Sequence, residues 1–335
     1  MSEFAYSGLG LNPHYGTPHS PYHANVPGDA PRIAGGSSSG APASVADGMA
    51  AIAFGTDTGG SIRIPAAMCG LDRLQANREP HPETGRRAAV EDARLLRPHQ
   101  PYRCMLRAGG RILAGREPNV PATRPLEGVR LGVLTHYVTN DVEAPVGNAV
   151  ATAINHLAAA GALVEDVRFA PLDRLPELSR FPLVAIEVWA WHRKLVAAHA
   201  SEYDPRVLAR RSGQRGGLHR PLRSPRRDDR RGPHHALATL QRHRLPDRAD
   251  AAAAHRRTGA RRRSVSRTNA LILRNPTAFN FLDACCAMSL PCHPRGEALV
   301  GLMLAGAPNS RIPTIPCCRS AAPSKGCSRR RVDVC

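Results

Sequence analysis

Two short clusters of glycine and hydroxyl residues stand near the start of the sequence. The first is Gly35-Gly36-Ser37-Ser38-Ser39-Gly40; the second is Gly55-Thr56-Asp57-Thr58-Gly59-Gly60-Ser61-Ile62-Arg63-Ile64-Pro65. Either one alone reads as a flexible loop, or as a nest of backbone N–H groups that cradles an anion. Here the two are joined by a polar-poor, Ala-rich stretch, and the second ends in Gly-Gly-Ser-x-Arg-x-Pro. A loop or a nest explains each cluster separately but not the pair. A serine hydroxyl is a feeble nucleophile at its ordinary pKa, so chemistry at such a serine requires a base to take its proton.

The run from Gly35 to Gly70 resembles the amidase signature family almost without a break, including the spacing of 24 residues from Ser37 to Ser61. Weaker likeness extends upstream through Glu3-Phe4-Ala5-Tyr6-Ser7-Gly8 and Asn12-Pro13, and returns over residues 108–209 and 267–308, where Asn280-Phe281-Leu282-Asp283 and Val300-Gly301-Leu302-Met303 are similar to the family's C-terminal segments. The resemblance implies an α/β fold, a mixed central β-sheet flanked by helices, and cleavage of an amide C–N bond in a small substrate through an acyl-enzyme. It implies Ser61 as nucleophile and Ser37 as the serine that relays its proton, after a cis Gly36–Ser37 peptide. The backbone amides of Thr58, Gly59, Gly60 and Ser61 match the family's oxyanion hole, where glycine lets the backbone come close to the tetrahedral intermediate. Asp57 and Arg63 are expected to pair and hold the loop, Ser38 to hydrogen-bond the relay serine, and Ser39 to serve only as a turn residue. No metal or cofactor is implied. Within the family, tRNA-dependent amidotransferase subunits usually carry Gln where this chain has Ile64, which favours a stand-alone amidase.

The family's base is a neutral lysine upstream of the glycine–serine loop. None of the 36 residues before Ser37 is lysine; the sequence holds only Lys194 and Lys325, far downstream, which read as solvated surface charges. The chain is therefore expected to begin inside the family's fold and to be an incomplete, catalytically impaired version of it. The alternative reading of a non-catalytic product of the family follows from the same absence.

The elements that must position the serines are partly legible. Ala43 to Phe54 reads as a buried helix running on toward an apolar strand. Val129-Arg130-Leu131-Gly132-Val133-Leu134 suits a buried strand, Val146, Val150, Ile154, Leu157 and Ala158 fall at helical spacing, Gly161 is a plausible C-cap, and Leu163 to Val167 reads as a second strand. That is a β–α–β unit, which favours parallel pairing. The organisation expected is one domain over 1–308, family-like in 1–71, 108–209 and 267–308, with a basic tail over 309–335 outside the fold.

Composition bears on the rest. The net charge is +19, yet residues 210–263 carry +13, 309–335 carry +5 and 72–107 carry +3, so the body of the protein is close to neutral. The tracts lack interleaved aromatics and any binding module, which argues against nucleic acid as a partner. There are 44 Arg against two Lys, a ratio that points to base composition in the gene rather than to a phosphate-binding surface. Abrupt loss and recovery of family likeness at the tract edges is what an out-of-frame stretch of a GC-rich gene would produce, and the tracts are expected to lie outside the fold. Nine cysteines without a Cys-x-x-Cys pair speak against a disulfide framework or structural zinc. With no apolar run of membrane-spanning length and no secretory signal in the sequence, the expectation is a cytoplasmic protein.

Overall fold

The chain's strands are short and its core is aliphatic, so the sheet is sealed by helices on both faces. The computed structural model describes residues 1–21, 31–75, 96–100, 109, 111–112, 115, 117–118, 125–175, 183–212, 236–240, 259–281, 287–293 and 299–306. Among them eight strands form one mixed sheet: β1 (Ala53–Thr56), β2 (Asp72–Gln75), β3 (Leu96–Gln100), β4 (Arg130–Leu134), β5 (Leu163–Val167), β6 (Ala236–Leu240), β7 (Ala287–Pro291) and β8 (Gly301–Gly306). Their spatial order is β1-β3-β2-β7-β8-β6-β4-β5. β4 pairs in parallel with β5 and with β6. The other pairings are antiparallel.

Strand β8 shows how the sheet is covered. It is buried along its whole length, and its side chains alternate between two clusters, as the pleat requires. Leu302 and Leu304 join Val146, Ala149, Val150, Ala153 and Leu157 of helix α3 (Ala144–Ala159). Met303 and Ala305 join Val138, Leu172, and Ala278 and Phe279 of the long helix α6 (Gly259–Phe281).

The β–α–β unit forms as its pattern suggests, with Arg130 opposite Leu163 and Leu134 opposite Val167. Gly161 takes the left-handed conformation (φ +96°) that ends a helix. Ala158 is exposed, and Ala149 and Ala153 take its place on the buried stripe.

Two expectations are corrected. The helix placed over Ala43 to Phe54 is α1, Gly40–Ala46; Gly48 (φ +79°) donates its N–H to Val45 O and turns the chain, which re-enters as β1. The basic tracts are also not wholly outside the fold, since β2 and β3 come from 72–107 and β6 from 210–263. Strand pairing uses backbone groups that nearly every residue carries. A five-residue run such as Ala236-Leu237-Ala238-Thr239-Leu240 is invisible in the average of a long Arg-rich stretch. Three further helices complete the described elements used below: α2 (Arg63–Met68), α4 (Leu183–His199) and α5 (Pro205–Ser212). No helix among the described residues is long and apolar enough to cross a membrane.

Candidate active site

The first glycine–serine loop is built by close backbone packing. Gly10 (φ +74°) lies so near it that a Cβ there would stand 2.1 Å from Gly35 O. Gly36 donates its N–H to Gly8 O at 2.8 Å, and a Cβ on Gly36 would meet Gly10 N at 2.5 Å. Ser2 N–H donates to Ser37 O at 3.1 Å. The N-terminal segment thus clamps the loop, and is itself held on α4 and α5 by Phe4 packed edge-on against His192 (4.2 Å between centroids) and by Glu3 Oε2, which accepts the Asp204 N–H. The Gly36–Ser37 peptide is cis.

Ser37 is fully buried, and its Oγ has no hydrogen-bond partner among the described residues; the same holds for Ser39 Oγ. A buried hydroxyl left unpaired costs about 1–3 kcal/mol. Ser39 stands just before α1 without capping it by its side chain. Ser38 does not bond Ser37, the partner expected for it. Its Oγ accepts the Thr56 N–H at 3.3 Å and donates to Thr56 O at 3.4 Å, because Ser37 and Ser38 project to different sides of the chain and Ser38 faces the end of β1. Ser38 N–H donates to Ser61 O at 3.1 Å, which ties the two clusters together through main chain.

The second cluster leaves β1 and turns into α2. Its frame is an ion pair with both side chains 0% exposed: Arg63 Nε donates to Asp57 Oδ2 at 3.0 Å, and Nη2 to Oδ1 at 3.1 Å. Arg63 also donates to Pro276 O at 3.1 Å and to Asn280 Oδ1, both on α6. Asp57 Oδ1 accepts the Gly60 N–H at 2.6 Å. Asn280 Nδ2 donates to Asp57 Oδ1 at 3.1 Å and to Thr58 O at 2.6 Å, and Thr277 Oγ1 donates to Gly59 O at 3.0 Å. Gly60 sits at φ +107°, where a Cβ would lie 2.3 Å from Pro276 Cβ. The Gly60 N–H is therefore committed to Asp57. The N–H groups of Gly59 and Ser61 carry no acceptor among the described residues. These two backbone N–H groups, one on each side of Gly60, are available to donate to a developing oxyanion.

A family model described as "Amidase" matches residues 1–72. The chain is 34% identical over 218 residues to 2-amino-5-chloromuconic acid deaminase of Comamonas testosteroni, covering 62% of this chain and 45% of that protein. It is 33% identical over 157 residues to indoleacetamide hydrolase of Rhizobium radiobacter, covering 46% and 33%. The chain thus spans less than half the length of either relative. Its fold matches allophanate hydrolase of Kluyveromyces lactis with a TM-score of 0.72 at 18% identity, over 92% of this chain and 51% of that one. Residues 1–72 thus match the amidase family model, and the fold is that of the solved structure named here.

The structure brings Ser37, Ser38, Asp57, Thr58, Gly59, Gly60, Ser61 and Arg63 into one region, the loops between β1, α1 and α2. The sequence did not single out Thr277 and Asn280, although Asn280 opens a family-like segment; a lone Asn in a helix carries no spacing signal, and only its packing against the Thr58–Gly59 peptide reveals it. Lys194 is exposed on α4, and Lys325 lies outside the described residues. Cys69, fully buried beneath α2, has its thiol pushed up to about 12 by burial, which makes it inert. Among the described residues no three His, Cys, Asp or Glu side chains stand close enough to share a metal.

Proposed function

We propose that this chain carries the acyl-transfer centre of an amidase that cleaves the C–N bond of a small amide, with Ser61 as nucleophile. The observation that carries the reading is the pair of unengaged N–H groups at Gly59 and Ser61, on a loop whose other polar groups are held by Asp57, Arg63, Thr277 and Asn280. In the reading, Ser61 Oγ attacks the amide carbon while its proton passes through Ser37 to a base. The carbonyl oxygen, now negative, rests on the Gly59 and Ser61 N–H groups. The C–N bond then breaks as the proton returns to the departing nitrogen, and water releases the acyl group from Ser61.

The buried, unpartnered Ser37 Oγ supports its role as relay, since a relay needs a second polar group beside it. The family resemblance makes that group a lysine amine, which residues 1–36 of this sequence do not supply, so the amine must come from outside this sequence for the step to run. The same orphaned hydroxyl favours a second reading, a family member whose serines no longer turn over amides. Ile64 packs with Leu9, Leu11, Ile33, Met68 and Ile272 in an apolar cluster, in keeping with a stand-alone amidase rather than an amidotransferase subunit.

Burst kinetics with a p-nitrophenyl ester separate the readings. The first predicts a burst of one p-nitrophenolate per chain, abolished in Ser61→Ala, followed by turnover; the second predicts no steady-state turnover. A burst that survives Ser61→Ala would remove Ser61 from the mechanism.

A further inference from the structure

We infer that Asn280 is a positioning residue that aims the Gly59 N–H at the oxyanion. A trans peptide is planar, so its C=O and N–H point in opposite directions and fixing one fixes the other. Asn280 Nδ2 holds Thr58 O at 2.6 Å, and the N–H on the far side of that peptide belongs to Gly59. The next peptide is held at both ends, with Gly59 O on Thr277 Oγ1 and Gly60 N–H on Asp57 Oδ1. Among the described residues the Thr58–Gly59 peptide is held at its oxygen by Asn280, which thereby sets the direction of the Gly59 N–H, one of the two amides in this stretch left for a ligand.

The orientation of the Asn280 amide is itself dictated. The Arg63 guanidinium is a donor only, so the atom of Asn280 that faces it must be Oδ1. Nδ2 is thereby turned to two acceptors, Thr58 O and Asp57 Oδ1. The charged groups facing position 280 are Arg63 from α2 and Asp57 from the loop after β1. The chain of control runs from the buried ion pair, through one side-chain amide, to one backbone N–H.

The inference rests on Ser61 being the nucleophile, and the test separates the two. The readout is the rate at which a fluorophosphonate, whose phosphoryl oxygen needs the same amides, labels Ser61 in the full chain. Asn280→Asp keeps the size and the contact to Arg63 but replaces a donor with an acceptor against Thr58 O. Labelling is expected to fall about 100-fold at pH 8, the scale of losing one oxyanion donor. On acidification the new carboxyl, which faces Asp57 as well as Arg63, regains a proton and can donate again. The deficit relative to wild type should shrink about tenfold by pH 5. Asn280→Ala should show a deficit of about 10-fold or more that pH does not relieve. A purely structural role for Asn280 predicts no such difference in pH profile. Both variants labelling at the wild-type rate, while Ser61→Ala loses the label, would overturn the positioning role and leave Ser61 standing. Label persisting in Ser61→Ala would instead overturn the nucleophile. A crystal structure of Asn280→Asp gives a reading independent of labelling: a rotated Thr58–Gly59 peptide is expected, and an unchanged one refutes the inference.

Discussion

Replacing Asp57 by asparagine changes one oxygen for one amino group at the centre of the loop's frame. In the folded chain the carboxylate accepts from Arg63 Nε and Nη2, from Gly60 N–H and from Asn280 Nδ2, and neither it nor Arg63 is exposed. If the new side-chain amide keeps its oxygen toward Gly60, its amino group must face the Arg63 Nε–H, donor against donor. The guanidinium is then buried without a counter-charge. Breaking a buried pair from one side costs about 3–5 kcal/mol, a large part of the roughly 5–15 kcal/mol that holds a domain together. Urea unfolding followed by circular dichroism is the assay; with a slope of about 3 kcal/mol per M the midpoint should fall by about 1–1.7 M. Arg63→Met alone should also be costly, and the double variant Asp57→Asn with Arg63→Met should cost less than the sum, with a coupling of about 2 kcal/mol or more. A loss below about 1 kcal/mol for Asp57→Asn, or strict additivity in the cycle, would refute the view that this pair is the dry frame of the loop.

Other substitutions test neighbouring parts of the account. Gly60→Ala puts a Cβ 2.3 Å from Pro276 Cβ at a left-handed position, and should slow labelling at Ser61 by about 100-fold or more, read by the same fluorophosphonate assay. Leu157→Ala removes a side chain packed between α3 and the sheet and should cost about 2–5 kcal/mol in thermal unfolding, without altering the labelling rate of the folded fraction. Cys69 has an ordinary thiol pKa of 9.0 when unfolded and about 12 when folded. Between those values the unfolded chain releases a proton that the folded chain keeps, so stability falls as pH rises from 9 toward 12. Unfolding free energies from urea titrations of wild type and Cys69→Ala should differ in pH dependence by about 1.4 kcal/mol per pH unit over that window.

The serine cluster is legible in the sequence because its chemistry is local: both loops, the 24-residue spacing and the Gly-Gly-Ser-x-Arg-x-Pro ending lie within one stretch. The β–α–β unit is legible for a similar reason, since α3 is amphipathic and its flanking strands are short apolar runs. What cannot be read comes from distant chain. Thr277 and Asn280 reach the loop across more than 200 residues of sequence, and even the family-like segment that Asn280 opens does not say what its side chain touches. Strands β3 and β6 escape the sequence pattern because each is only five residues long within an Arg-rich stretch. The bond partner expected for Ser38 is wrong because a run of three serines does not reveal which hydroxyl faces inward; the end of β1 claims Ser38 and leaves Ser37 for the site.

Mass mapping of the folded chain after fluorophosphonate treatment tests the central claim most directly. The account predicts a single phosphonyl adduct on Ser61, lost in Ser61→Ala and formed about 100-fold more slowly or worse in Ser37→Ala, because nucleophile and relay act as a unit. An adduct on any other residue, or one that persists in Ser61→Ala, would contradict it.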